Sequence, residues 1–339
     1  MKKLFSLLKA IFFISTCFLL VQCRKTSVAS DLPNPVVANI SAVFDTTADN
    51  AAPVVYHSSQ PINLVGVSNR VITNLDIAGK EAICINLSSC SNITIKNCKL
   101  HSSKEVAVSL YNCKNIKVTN CFMYDVSSGV YASTSSSIVA NYNQFKNMRG
   151  PLPRGQMVQF NAVTGAGNQV NYNRSENILG SSYPEDAISM YKSRGTPDDP
   201  IQIIGNWIRG GGPSETGGGI CLGDNGGEYM IAKDNVLVNP GQYGIGIASG
   251  THIQIINNKI YSKKQYFTNV GITVWNQYAL SCAINTVTGN EVKWINRGGY
   301  ENDSWNGENC GAVAGWDTNK WHANISENIL PAKIITYTP

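Results

Sequence analysis

The sequence predicts an all-β fold, a single parallel β-helix solenoid closed by an irregular C-terminal cap. Three observations lead there: a repeat of 22 to 23 residues in the early coils, period-two alternation within it, and asparagine or glycine at its corners. The stretch Cys90-Ser-Asn-Ile-Thr-Ile-Lys-Asn-Cys98-Lys-Leu100 aligns without gaps on Cys113-Lys-Asn-Ile-Lys-Val-Thr-Asn-Cys121-Phe-Met123, 23 residues later. A corner residue followed two places on by an apolar one recurs at Leu75/Ile77, Cys98/Leu100, Cys121/Met123, Asn143/Phe145, Asn206/Ile208, Asn235/Leu237, Asn258/Ile260 and Asn290/Val292. Asn173 joins the column in a degraded frame. Further strands precede these corners, among them Ala82–Ile85, Val106–Val108, Ala187–Met190, Gly219–Leu222, Gly244–Ile247 and Gly271–Val274. Such a coil cannot bury its apolar face alone and must stack on its neighbours, where equivalent asparagines can bond to one another along the stack.

Taken from the N-terminus, residues 1–23 read as an export signal: Met1-Lys2-Lys3, an apolar run to Val21, then Cys23. Leu20-Val21-Gln22-Cys23 resembles the lipobox of bacterial lipoproteins, with Cys17 as a second candidate cysteine. The resemblance implies acylation of Cys23, anchoring to a membrane only through that lipid, and a place at the cell surface or periplasm; otherwise the protein is secreted. Residues 24–56, rich in Ser, Thr, Ala, Asp and Pro, read as tether and N-terminal cap. Residues 57–339 form the helix domain, with the capping tail beginning near residue 293, where Trp294, Trp305, Trp316 and Trp321 gather.

The repeat resembles the right-handed parallel β-helix proteins of the pectate-lyase-like superfamily from roughly Pro61 to Val292. This implies right-handed winding and places action on polysaccharides among the expected functions. Arg149-Gly-Pro151-Leu-Pro-Arg154 is similar to the Arg-x-Pro-x-x-Arg pattern of pectate lyases. That likeness implies Arg149 as the base that takes the sugar C5 proton and Arg154 as a substrate contact. The Trp-Ile-Asp-His motif of those enzymes is absent, as are the Asn-Thr-Asp, Gly-His-Gly and Arg-Ile-Lys motifs of polygalacturonases.

The corner column is regular to Asn143 and irregular after it, with steps of up to 33 residues between Asn173 and Asn206. The extra residues fall in 148–159, 181–200, 209–228 and 266–282 and must leave the stack as loops, where function concentrates on a rigid scaffold. Strand alignment puts Lys192, Asp224, Ser249 and Asn276 in one column of successive coils. Asp186 has the parity of Ile188 and Met190, so it sits at a corner or is partly buried, where a carboxyl pKa rises. Lys192, Arg149 or Arg154 would be base or neutraliser, with Asp186 and Asp224 tuning or orienting them. Arg194, Arg209, Tyr243, Trp275 and Asn276 are the candidate substrate contacts. The glycine-rich run 210–219 lacks the Lys-Ser/Thr of a phosphate loop and opens no helix.

Charged residues make up 14% of the chain and the net charge is +5, without a Lys/Arg-rich run, which argues against nucleic acid as a partner. A mildly basic cleft is compatible with an acidic polymer, and a monomer is expected. The four histidines are scattered and give no zinc spacing; no metal site or cofactor is predicted, with calcium left open. Cys282 and Cys310 are expected to form a disulfide, while Cys90 over Cys113 and Cys98 over Cys121 read as packed thiols, although stacking also brings them within disulfide reach. The expected function is a surface-exposed, carbohydrate-active protein that cleaves a uronic-acid-containing polysaccharide by β-elimination. The alternatives are a glycoside hydrolase using Asp186 and Asp224, and a noncatalytic glycan-binding or structural surface protein.

Overall fold

The computed structural model describes residues 54–337, so the export signal, Cys23 and most of the tether lie outside the described residues. Within them there is no α-helix; the chain winds as a parallel β-helix. Each turn visits three faces in a fixed order. Sheet A collects ten strands from His57–Ser58 to Glu291–Trp294, and sheet B ten from Ile62–Val65 to Ser304–Asn306. Sheet C comes in two runs, Ser68–Thr73 to Ser136–Asn141 and Ile201–Ile204 to Thr286–Thr288, joined through bridges of Gln169 to Val139 and Gln202. Every strand pairing among these sheets is parallel.

Alternation decides which side chains enter the core. On sheet A, Ile77, Leu100, Met123, Phe145, Ile208, Leu237, Ile260 and Val292 are all buried. On the coil of Asn173 the equivalent place holds Ser175, whose hydroxyl is buried without a partner, which accounts for the degraded frame there. On sheet B the inward rows include Ile188 and Met190, Ile220 and Leu222, and Ile272 and Val274.

The corner between sheets C and A carries the asparagine ladder. Each amide nitrogen donates to the next residue's Oδ1 from Asn143 through Asn173, Asn206, Asn235, Asn258 and Asn290 to Asn319, at 2.7 to 3.2 Å. Each Oδ1 also accepts a backbone N–H of the preceding coil. In the leaner coils Cys98 and Cys121 hold this corner as free, buried thiols, and Cys90 and Cys113 are likewise unbridged. Cys282 and Cys310 are joined by a disulfide.

The stack does not stop near residue 293. Ser304–Asn306 extends sheet B, Ala314 bridges Thr286, and Lys320 bridges Glu291, so one further coil is wound. Asn319/Trp321 repeats the corner frame, and Trp316 and Trp321 pack against the end of the core with their rings 5.2 Å apart. The remaining tail does not cap the end. It runs back across the outside of sheet A, burying Leu330, Ile334 and Ile335 on Phe122 and Val238, and stacks Tyr337 on Phe122.

Candidate functional site

The outer face of sheet B gathers the chemistry. Ser189 and Tyr191 point outward from strand Ile188–Tyr191, and Cys221 and Asp224 from strand Ile220–Asp224. Asp186 stands at the corner just before the first strand, 6% exposed. Its Oδ1 accepts from the Gly218 amide at 2.9 Å and from the Tyr243 hydroxyl at 2.5 Å. Tyr243 comes from two coils further on, and its ring lies back over Gly246, where an added Cβ would touch it at 3.2 Å. The other oxygen, Oδ2, receives no hydrogen bond among the described residues.

Asp224 is half-buried, and its Oδ1 accepts from the Tyr278 hydroxyl at 2.5 Å. Glu185, next to Asp186, is held by the hydroxyls of Ser214 and Thr216. Burial pushes the Asp186 carboxyl up to about 7; the Tyr243 and Gly218 donors pull against this, while the negative charges of Glu185 and Asp224 add to it. Asp224 is raised too, by burial and by Glu185, against the Tyr278 hydrogen bond. Burial in turn keeps the proton on Tyr243, and on Tyr278, so both phenols remain donors.

Two carboxyls with different surroundings on one face can divide acid and base work. A buried carboxyl that keeps its proton near neutrality can give it to a leaving oxygen, and a more exposed one can stay ionised beside it.

The cations proposed from the sequence separate into two groups. Arg154 lies over the Tyr131 ring at 4.7 Å, and its carbonyl accepts the amide of Glu185, so it borders the acids. Lys192 is exposed, its ammonium 5.3 Å from the centre of the Tyr191 ring. Arg194 is exposed one corner further, where it bridges Thr164 and Glu228 through the backbone. None of these three forms an ion pair among the described residues.

Arg149 and Arg209 lie elsewhere. Arg149 pairs with Asp125 at 3.0 Å and lines a separate hollow with Lys80, Lys104 and Tyr183, so it is away from the acids. Arg209 is on sheet A, bound to Glu176 and to the carbonyls of Leu330, Pro331 and Ala332, so it fastens the returning tail on a different sheet from the acids.

The column of Lys192, Asp224, Ser249 and Asn276 is also corrected. Tyr191, not Lys192, pairs with Asp224, because Gly223 adds a residue to the strand. Gly223 takes φ +64, and a Cβ there would meet the Ser249 carbonyl at 1.9 Å, so the bulge requires glycine. Ser249 is buried and donates to the Gly223 carbonyl, holding that bulge. Asn276 closes its own turn, donating to the Leu280 carbonyl and accepting the Leu280 amide, and that turn presents Tyr278. Trp275 does face outward, 43% exposed.

Sequence reasoning passed over Glu185, Tyr278 and Tyr191. The first is adjacent to Asp186; the other two carried no repeat signal. It also missed a meeting of Glu301, Asp303 and His322 on the last coil. There Asp303 accepts the amides of Trp294 and His322, and His322 Nδ1 pairs with both acids, so the cluster fastens the coil through its own members.

The family described as "Right handed beta helix region" matches residues 60–213, in agreement with right-handed winding. Among solved structures, the catalytic domain of a GH87 alpha-1,3-glucanase in complex with tetrasaccharides is similar at 12% identity and a TM-score of 0.44. The alignment covers 78% of this chain, which spans 64% of that one. No curated protein matches.

Proposed function

We propose that this protein hydrolyses an acidic polysaccharide laid along the outer face of sheet B. The observation that carries this is Asp186: a buried carboxyl raised to about 7, with one oxygen held by Tyr243 and Gly218 and the other without a hydrogen-bond donor among the described residues. In this scheme Asp186 gives its proton to the glycosidic oxygen as the carbon–oxygen bond breaks. Asp224, its Oδ1 held by the Tyr278 hydroxyl, takes a proton from the attacking water. Arg154 and Lys192, without ion pairs among the described residues, meet carboxylates of the polymer. Export and a lipid anchor at Cys23 belong to the same proposal, since a polymer too large to enter a cell is met at its surface.

β-Elimination is the second reading, favoured by the same free cations, because it needs a positive group at the sugar carboxylate and a base at C5. Arg149 is paired with Asp125, so in this reading Lys192 or Arg154 supplies the base. One experiment separates the two. The purified protein is incubated with a panel of uronic-acid polymers while reducing ends and absorbance near 235 nm are followed together. Hydrolysis gives reducing ends with flat absorbance; elimination gives both. Neither signal with any polymer overturns both enzymatic readings.

A further inference from the structure

Beyond the acids, toward the C-terminal end of sheet B, two indoles stand in the open. Trp275 is 43% exposed and Trp305 is 45% exposed, and their rings meet edge to face with centroids 5.6 Å apart. Neither indole belongs to the buried core, yet the backbone around them is tightly held. The Asn276 amide donates to Asn309 Oδ1 at 2.8 Å, and Asn309 Nδ2 returns to the Asn276 carbonyl at 3.2 Å. The disulfide of Cys282 and Cys310 ties the same two segments together. Between the rings the chain passes as Gly307, where a Cβ would come within 3.1 Å of Trp275 and 3.3 Å of Trp305. The turn that follows Trp275 carries Tyr278 to Asp224, which links the pair to the acids across the intervening coil.

The two ends of the face therefore differ. Toward the N-terminal end lie Arg154 and Lys192, neither in an ion pair among the described residues; toward the other lie flat apolar rings. An indole fixed in place offers a large surface at little entropic cost, and it suits the C–H face of a sugar ring better than a hydrated carboxylate.

We propose that Trp275 and Trp305 form a subsite for a neutral sugar ring next to the bond that is cut. The substrate is then a heteropolysaccharide, with acidic residues toward Arg154 and neutral ones on the indoles. This rests on the reading that a polysaccharide lies along sheet B, but its test does not depend on cleavage. Neutral oligosaccharides of the gluco, manno, galacto and xylo series are titrated into wild type, Trp275→Ala and Trp305→Ala, followed by calorimetry and by tryptophan fluorescence. At least one series is expected to bind wild type, with each variant weakened roughly tenfold or more. Trp275→Phe and Trp305→Phe, which keep a ring, are expected to retain most of the affinity. Oligouronate binding should be lost on Arg154→Gln and retained in the tryptophan variants. The proposal is overturned if no neutral series binds wild type, or if the alanine variants bind within twofold of it. Failure of all polymers to be cleaved, with this binding pattern present, removes the hydrolytic reading and leaves the subsite in place.

Discussion

The coils before Asn143 and those after it are built on one plan and used differently. In the first half the inner corner is filled by the thiols of Cys98 and Cys121, and the polar ladders are on the outside. There Asn115 donates to Asn92, and Asn92 to Asn69, where they stabilise little against water. In the second half the inner corner is amide throughout, from Asn143 to Asn319. The steps between these asparagines vary from 23 to 33 residues, yet the amide bond between neighbours stays between 2.7 and 3.2 Å. The corner is thus set by a bond that does not depend on how much chain leaves the coil elsewhere. That is what allows the later coils to carry loops, and it is on those loops and their strands that Asp186, Asp224, Tyr243, Tyr278 and the indoles are brought together.

The largest effect expected from this difference is at the middle of the inner ladder. Asn206→Ala removes the acceptor for the Asn173 amide and side chain and the donor to the Val170 carbonyl, all buried. It should lower unfolding free energy by roughly 3 to 6 kcal/mol, measured by denaturant titration. Asn115→Ala on the outer ladder should change it by no more than about 0.5 kcal/mol. Equal losses at the two positions would mean that the ladders are equivalent after all.

Between these lies Asp186. Its folded pKa of about 7 is above the ordinary carboxylate value, so the folded state holds a proton that the unfolded chain has released. Stability attached to this group is full below the unfolded pKa and is lost as pH rises through about 7. Asp186→Asn keeps an acceptor for Tyr243 and Gly218 but cannot ionise. It should therefore be the more stable form at pH 8, by at most roughly 4 kcal/mol, with the difference vanishing near pH 4. Melting temperatures across that range test this, and an unchanged difference at all pH values would contradict it.

The fold was legible because every coil but that of Asn173 repeats a local rule, a corner residue and an apolar one two places on, that survives insertion. Even the coil that ends at Asn319 obeys it, although its irregular approach hid it. The site was legible only in part. The parity of Asp186 and the coil of Asp224 can be counted along a strand. The bond from Tyr278 to Asp224 spans 54 residues and that from Tyr243 to Asp186 spans 57, across coils whose lengths differ. No local pattern encodes either one. Lys192 was put one place out by the bulge at Gly223, and Arg209 was misread because the tail that covers it belongs to no repeat.

The most direct test of the account is the rate at which Asp186→Asn releases reducing ends, compared with wild type at pH 6 on whichever polymer wild type cleaves. Loss of the general acid should cost about a hundredfold or more, with melting temperature unchanged or higher. A variant that turns over within threefold of wild type would remove Asp186 from the chemistry, and with it the central claim.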